Sequence, residues 1–369
     1  KMKNGELSSL KKAMMPVIAA FGGVVAPALI FTAINHGSAA ASGWGIPTAT
    51  DIAFAVGILS ILGDRVPVSL KVFLTALAIA DDLIAILVVA LFYGGTINFG
   101  LLSIAFVLIA LVLLMNKLGE KRGWFYLVPA IAIWSLFYYA GIHSTMSGVV
   151  MAFLVPMTPR FNEAYFHRKR LQYIRRLNEY NGIASTSSEF PNGPQRHCLR
   201  RLSAISRDSI GMSYRLEHAL GPWVNFLIMP IFALANAGVE IPDVSYFNVF
   251  QFDQVLGSVS MGIFLGLVLG KPLGISLASF IAVKLHVGEM PAKSTWPMLI
   301  AVACLGGIGF TMSIFVDTLS FGDQTPEVMA RLRDMGKVAV LMGSLCAGIL
   351  GSVLINIIHG IESRKAVKA

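Results

Sequence analysis

The sequence predicts an all-α polytopic membrane protein, built on an inverted repeat of three-helix units with two discontinuous helices. The first observation is composition: 56% of the 369 residues are hydrophobic, 13% are charged and the mean hydropathy is +0.72. A soluble domain carries about 25% charge. The second is a series of apolar runs long enough to cross a bilayer. The third is that proline or clustered glycines interrupt two of these runs.

Ten apolar runs are predicted to span the membrane within a single transmembrane domain that covers residues 1–369. Two of them, the fifth and the sixth, are short for a span. The runs cover about 13–34, 45–62, 68–93, 99–115, 124–138, 142–155, 214–238, 256–283, 297–320 and 336–359.

Basic residues collect in the loops between these runs, which predicts the orientation of the chain. The start, the loop 116–123, the segment 157–212 and the tail are all basic and fall on one side, which the positive-inside rule makes cytoplasmic. The loop 239–255 holds three acids and no Lys or Arg, and falls on the opposite side. Both ends are therefore expected in the cytoplasm. The net charge of +9 follows from these loops and indicates no nucleic-acid partner; membrane lipid is the expected surrounding.

Segment 157–212 is the one large polar feature, with ten Lys or Arg against four Asp or Glu, a net charge of +6. We interpret it as a basic cytoplasmic loop. Its stretch HRKRLQYIRRLNEY could form a basic amphipathic helix on the inner membrane surface. The following NGIASTSSEFPNGPQ indicates a flexible linker. The alternative is a solvated loop without a specific function.

Two spans are predicted to be broken into half-helices. In the second span Pro47 precedes the polar run Thr48–Asp51, and proline removes a backbone donor. In the ninth span three glycines fall within four residues: Gly306, Gly307 and Gly309. Each broken span is the middle of a three-span group, spans 1–3 and 8–10, and the two groups have opposite orientation. This arrangement predicts an inverted repeat. The alternative is a proline kink and a glycine packing face.

Two adjacent aspartates, Asp81 and Asp82, lie in the middle of the third run, VSLKVFLTALAIADDLIAILVVALFY. Each costs about 2.5–3.5 kcal/mol at that depth, so the pair indicates an ion or proton pathway. Adjacent helical residues point about 100° apart. One aspartate is therefore expected to face Lys271, in the eighth run, and the other an ion pathway. Asp51 can compensate a positive half-helix end and Lys271 a negative one. A purely structural ion pair is the alternative for Lys271.

Several motifs together resemble the NhaA-type Na+/H+ antiporter family over nearly the whole chain. They are GWGIPTATDIAFAVGILSILGDRVP, LKVFLTALAIADDLIAI, EHALGPW, FALANAGV, GKPLGIS and GIGFTMSIF. The resemblance implies that Asp82 is the principal Na+-binding and proton-carrying carboxylate and that Asp81 pairs with Lys271. It places Thr50 and Asp51 at the crossing of the broken helices and counts both among the ion-binding and proton-carrying residues. Asp81 and Asp82, with Thr50 or backbone carbonyls, would supply the oxygen ligands that Na+ prefers.

The resemblance also implies exchange of cytoplasmic Na+ or Li+ for external H+ by alternating access, in the inner membrane of a bacterium. That activity regulates internal pH and sodium; it is not enzymatic and needs no cofactor. Glu217 and His218 match part of the family's pH-sensing cluster, but Gly221 stands where the best-known member has a His. Segment 157–212 is longer than usual. Asp317, late in the ninth span, is expected to be a solvated acid at the outer rim without a role.

The family has twelve spans, and this sequence resembles it from just after the second. We therefore expect that two spans precede Lys1 and that the hairpin the family uses for dimer contact is absent here. The family's homodimer is then expected to be lost or loosened.

Two other classes of protein also place acids in the membrane. Intramembrane aspartyl proteases resemble one another in a Tyr-Asp and a Gly-x-Gly-Asp motif on separate helices. Neither motif occurs here, because Thr50 precedes Asp51 and Ala80 precedes Asp81. A channel, or another cation-coupled transporter or organic-anion symporter, is the remaining alternative. Ion-dependent proton release without an organic substrate would distinguish an antiporter from all of these.

Overall fold

A computed structural model gives the fold for residues 10–93, 97–120, 122–159, 161–183, 191–236, 258–322 and 324–368, together with Gly238 and Val249. The described residues form helices and connecting turns, without a strand among them. By their contacts the residues divide into two compact units. Unit 1 combines Lys1–Tyr93 with Met229–Ala369, and unit 2 is Gly94–Ile228.

Unit 1 contains the helices of both predicted three-span groups. They are α1 (Leu10–Ile34), a 3₁₀ helix (Ala41–Thr48), α2 (Ile52–Leu62), a 3₁₀ turn (Gly63–Arg65), α3 (Val68–Phe92), α10 (Met229–Asn236), α11 (Val259–Leu265), a π-helical turn (Gly266–Gly270), α12 (Lys271–Lys284), α13 (Trp296–Leu305), α14 (Phe310–Ser320) and α15 (Pro326–Lys368).

Unit 2 contains the remaining helices. They are α4 (Phe99–Lys117), α5 (Trp124–Tyr139), α6 (Thr145–Leu154), α7 (Glu163–Ile183), α8 (Gly193–Asp208), α9 (Met212–Trp223) and a π-helical turn (Val224–Ile228). Helices α4, α5 and α6 pack around a buried cluster that includes Tyr126, Ile133 and Phe137.

The all-α polytopic prediction is confirmed. Seven described segments are long and apolar enough to cross a membrane, and α13 with α14 makes an eighth if the bent pair is one span. The seven are Lys11–Ile34, Ala41–Arg65, Val68–Phe92, Phe99–Lys117, Met212–Asn236, Val259–Lys284 and Pro326–Arg364. The fifth and sixth predicted spans are the short apolar helices α5 and α6. The count of ten and the single domain stay predictions.

Both predicted breaks are present. The second span changes from the 3₁₀ helix to extended backbone at Ala49, with φ −86° and ψ 150°, before α2 begins. The ninth span is interrupted between α13 and α14, which are bent by 52°. Proline at position 47 and the glycines at 306–309 favour these breaks, because proline lacks a backbone donor and glycine loses more conformational entropy in a helix than other residues.

The two halves of unit 1 meet in a close contact between α1 and α12. Gly22 and Gly274 lie against each other's backbone, and a Cβ atom at Gly274 would collide with the carbonyl oxygen of Gly22. The same Cβ atom would lie 2.8 Å from the side chain of Ala26. Small residues allow two membrane helices to approach this closely and gain van der Waals contact. The contact fixes α12, and therefore Lys271 at its start, against α1.

Segment 157–212 contains two helices rather than one helix and a linker. The predicted basic helix is confirmed as α7. Part of the predicted linker, residues 184–190, lies outside the described residues, but its end forms the start of α8. There Asn192 and Gln195 form a reciprocal capping box, which starts a helix instead of a loop. The linker prediction is therefore wrong at residues 181–183, which end α7, and from Asn192 onward.

Candidate functional site

The two broken helices of unit 1 cross at their breaks and are held together by hydrogen bonds. The Asp51 backbone N–H donates to the Ile308 carbonyl oxygen at 2.6 Å. The Thr50 hydroxyl donates to the Gly306 carbonyl oxygen at 2.8 Å. These bonds satisfy backbone groups that the broken helices leave without intrahelical partners. Four half-helix ends therefore converge at one place.

Asp51 binds the amino-terminal ends of two half-helices at once. Its Oδ1 accepts from the backbone N–H groups of Ala53 at 3.0 Å and Phe54 at 3.2 Å, which caps α2. Its Oδ2 accepts from the Thr311 backbone N–H at 3.0 Å and from the Thr311 hydroxyl, at the start of α14. Asp51 is buried. Its side chain thus meets two positive helix ends, where one was predicted.

A second hydroxyl completes the amino-terminal end of α14. Ser344, on α15, accepts from the backbone N–H groups of Gly309 at 3.2 Å and Phe310 at 3.1 Å. Neither Thr311 nor Ser344 was predicted from the sequence. Thr311 gives no local signal, because its hydroxyl does not cap its own helix but donates to Asp51, 260 positions away along the chain. Ser344 gives no such signal, since it lies inside the long apolar helix α15 and acts on a different element.

Lys271 is placed against Asp81 and Thr50. Its ammonium donates to Oδ2 of Asp81 and, at 2.9 Å, to the Thr50 hydroxyl oxygen. All three residues have 0% exposure. The Thr50 hydroxyl in turn bonds the carbonyl of Gly306, the C-cap of α13, so Lys271 reaches that negative helix end through Thr50. A buried cation with these partners is compensated by one carboxylate and one hydroxyl.

A π-helical turn, Gly266–Gly270, directly precedes Lys271. Gly270 lies against α1, where a Cβ atom would be 2.9 Å from Cα of Pro27. Single π turns widen a helix locally and often occur at functional sites. The turn was not predicted from the sequence, because a π turn has no pattern of its own in an apolar run.

Asp82 is the aspartate that Lys271 does not bind. It is less buried than Asp81, and its neighbouring charges are Asp81, Lys271 and Asp51. Oδ1 of Asp82 and Oδ1 of Asp81 are buried and have no hydrogen-bond partner within the described part of the chain. Buried polar atoms normally have partners. Each of these two carboxylate oxygens, on neighbouring residues of α3, can accept a proton or ligate a hard cation.

Glu217 and His218 lie on α9 in unit 2, and both are exposed. The His218 ring packs edge-on against Tyr214, with 4.2 Å between ring centroids. At Gly221 an added Cβ atom would meet nothing within 4 Å, so the position is open. The pH-sensing role of this pair stays a prediction.

Asp317 is not the solvated rim acid that was expected. It has 0% exposure, and neither carboxylate oxygen has a hydrogen-bond partner among the residues that the structure describes. The expectation is wrong because α15 covers this face of α14. Gly336 of α15 lies directly on the Asp317 carboxylate, where any side chain at position 336 would collide with it.

Comparison with known proteins agrees with this architecture. The model of the family described as Na+/H+ antiporter 1 matches residues 1–355. A protein named Na(+)/H(+) antiporter NhaA from Syntrophobacter fumaroxidans is 41% identical over 351 residues, 95% of this chain and 72% of the relative. A protein of the same name from Oleidesulfovibrio alaskensis is 40% identical over 98% of this chain and 78% of the relative. The protein of the same name from Acidithiobacillus ferrooxidans is 42% identical over 94% of this chain and 77% of the relative.

These matches do not bear out the expectation that two spans precede Lys1. The family match extends over far more than half of the sequence, and each of these relatives is aligned over more than two thirds of its own length. The chain belongs to the Na+/H+ antiporter 1 family.

Proposed function

We propose that this chain exchanges cytoplasmic Na+ or Li+ for external H+ by alternating access. The observation that carries the proposal is a pair of buried carboxylate oxygens, one on Asp81 and one on Asp82, that have no hydrogen-bond partner among the described residues. They lie beside the broken-helix crossing, where Lys271 binds Asp81. The relatives are named as Na+/H+ antiporters, which are transporters and not enzymes. No resident cofactor is predicted; Na+ and H+ are the substrates.

Asp82 is the proposed shared site for the two ions. Na+ is a hard cation and takes oxygen ligands. Oδ1 of Asp82 and Oδ1 of Asp81, which have no partner in the part of the chain that the structure describes, offer two such ligands. The Thr50 hydroxyl already donates to Gly306 and accepts from Lys271. One lone pair of its oxygen is left, and it can serve as a third ligand of Na+. Proton binding removes the negative charge that holds Na+, and Na+ binding expels the proton. One site therefore serves both ions in turn.

Lys271 is proposed to keep the site from holding two uncompensated charges. By pairing with Asp81 it neutralises one of the two adjacent carboxylates. The other, Asp82, is then the one whose charge changes with the bound ion. Asp51 is proposed to hold the crossing together rather than to bind the ion directly, because both of its oxygens already accept hydrogen bonds.

Alternating access requires that the crossing can face either side of the membrane. In transporters with inverted repeats, one repeat or bundle moves against the other around a fixed site near the bilayer midplane. The proton gradient would then drive Na+ outward. Glu217 and His218 are proposed to adjust the pH at which this exchange begins.

The chain is a multi-pass membrane protein. Its proposed location is the inner membrane of a bacterium, with both ends in the cytoplasm, because the basic loops fall on that side. Contact with membrane lipid, a weakened homodimer and the absence of a nucleic-acid partner stay predictions.

The test is Na+-induced dequenching of a pH-sensitive dye in everted vesicles that have been energised and contain this chain. Dequenching on addition of Na+, without any organic solute, is expected. Vesicles from cells lacking the chain are the control. No response above that control contradicts exchange, and a response that needs an organic anion would indicate a symporter instead.

A further inference from the structure

The helices α7 and α8 form a polar hairpin that begins and ends at one place on unit 2. The two helices pack against each other. Gly211, after α8, lies against the carbonyl oxygen of Met157, before α7. The next residue, Met212, opens a segment that is long and apolar enough to cross a membrane, Met212–Asn236. The hairpin therefore ends a few residues before a candidate membrane span.

Arginine dominates the exposed faces of this hairpin. In its described part, 161–183 and 191–208, nine Lys or Arg stand against three Asp or Glu, and seven of the nine are exposed. The seven are Arg168, Arg175, Arg176, Arg196, Arg200, Arg201 and Arg207. At 100° per residue, the positions 196, 200 and 207 fall within about 40° of one another on α8. They form one stripe opposite the buried side of α8, which contains Cys198 and Ile205.

The exposed side of α7 combines arginine with aliphatic side chains. Leu171 and Ile174 are 51% and 38% exposed, one turn apart. Arg168 and Arg175 lie along the edge of this apolar strip, about 40–60° from Leu171. An apolar strip bordered by long basic side chains is typical of helices that lie in the interface of a membrane. The aliphatic stems of such side chains pack along the strip while their charged ends reach outward.

We propose that the α7–α8 hairpin binds the anionic phospholipid headgroups of the membrane that this chain spans. Leu171 and Ile174 enter the boundary between headgroups and acyl chains, and the arginines bind headgroup phosphates, for which the guanidinium fork is suited. A nucleic acid would satisfy the arginines but would leave the aliphatic strip in water. The inference needs only the membrane location of the chain and is independent of Na+/H+ exchange.

The full chain can test this in nanodiscs of phosphatidylcholine alone, or of phosphatidylcholine mixed with phosphatidylglycerol. The measurements are backbone hydrogen exchange of α7 and α8 and the rate of tryptic cleavage after the exposed arginines. Each basic residue near an anionic surface adds about a factor of five to binding. Cleavage is therefore expected to slow by roughly tenfold or more in the anionic discs, and high salt should reverse much of this protection.

Two variants test the two parts of the surface. Arg196→Gln/Arg200→Gln/Arg207→Gln and Leu171→Ser/Ile174→Ser should each lose most of the lipid-dependent protection from hydrogen exchange. Lys284→Gln removes an exposed cation from another part of the chain and should retain it. Helical content measured by circular dichroism shows that each variant is folded.

Equal protection in the two kinds of disc would overturn the inference. So would protection by added RNA in phosphatidylcholine discs without protection by anionic lipid, which would indicate a different polyanion. Na+-induced dequenching in everted vesicles that contain the same variants reports on exchange separately. A failure of lipid binding therefore does not count against exchange, nor a failure of exchange against lipid binding.

Discussion

The ammonium of Lys271 donates to Oδ2 of Asp81, and neither side chain has any exposed surface. This pair divides the two adjacent aspartates of α3 into different roles. Asp81 has a permanent partner, whereas Asp82 keeps a buried oxygen without one among the described residues. The division explains how a membrane helix can contain two neighbouring acids, because only one of them has to change its charge during transport.

Removal of Lys271 should leave the Asp81 carboxylate buried and alone. Breaking a buried ion pair on one side costs about 3–5 kcal/mol. We expect Lys271→Ala to lower the midpoint of thermal unfolding in detergent and to weaken exchange. Asp81→Asn/Lys271→Gln should recover part of the loss, since neither charge is then unpaired. A double variant whose loss equals the sum of the two single losses would show that the residues are not coupled.

Asp51 should matter more for folding than any single hydroxyl at the crossing. Asp51→Ala removes the acceptor for two helix ends, each worth about 0.5–2 kcal/mol. Thr311→Val removes one hydrogen bond to a carboxylate, and a loss of about 1.5–3 kcal/mol is expected. The matched control is Thr318→Val on the same helix, whose hydroxyl bonds only the Phe315 carbonyl.

Thermal unfolding of these three variants gives the comparison. The control is expected to lose about 1 kcal/mol or less. If the Asp51→Ala variant were as stable as the Thr318→Val control, the hydrogen bonds of Asp51 to α2 and α14 would contribute nothing to the stability of the fold.

Gly274→Ala should separate α1 from α12. The added methyl group meets the backbone of Gly22, which cannot move aside as a flexible side chain would. Overpacking of this kind costs about 1–3 kcal/mol. Gly57→Ala is the control, because nothing lies within 4 Å of a Cβ atom there and Ala favours the helix by about 1 kcal/mol. Thermal unfolding should therefore shift in opposite directions for the two variants; a shift in the same direction would contradict the close contact.

The broken helices and the two aspartates were predictable because their signals are local. A proline before a polar run and three glycines within four residues weaken a helix at that place in the sequence. The second partner of Asp51 was not predictable in the same way, since Thr311 lies 260 positions away along the chain. The burial of Asp317 depends on α15 packing across it. The start of α8 does have a local signal, because Asn192 and Gln195 have the spacing of a capping box.

His218 should influence the pH at which exchange begins and should not change the competition between Na+ and H+. Histidine changes charge near physiological pH. We expect His218→Ala to move the pH at which Na+-induced dequenching appears, with little change in the Na+ concentration needed at high pH. His359→Ala removes another exposed histidine and should leave the profile in place. An unmoved profile in His218→Ala would remove the sensing role from this residue.

Proton release by the purified protein on addition of Na+ tests the central claim most directly. If Na+ and H+ compete for Asp82, Na+ should expel protons from the wild-type chain, and the amount should decline as rising pH empties the site beforehand. Asp64→Asn, at an exposed aspartate, should behave like the wild type. Asp82→Asn keeps the shape but cannot exchange a proton, so it should release almost none while remaining folded. Undiminished Na+-induced proton release from folded Asp82→Asn would contradict the account.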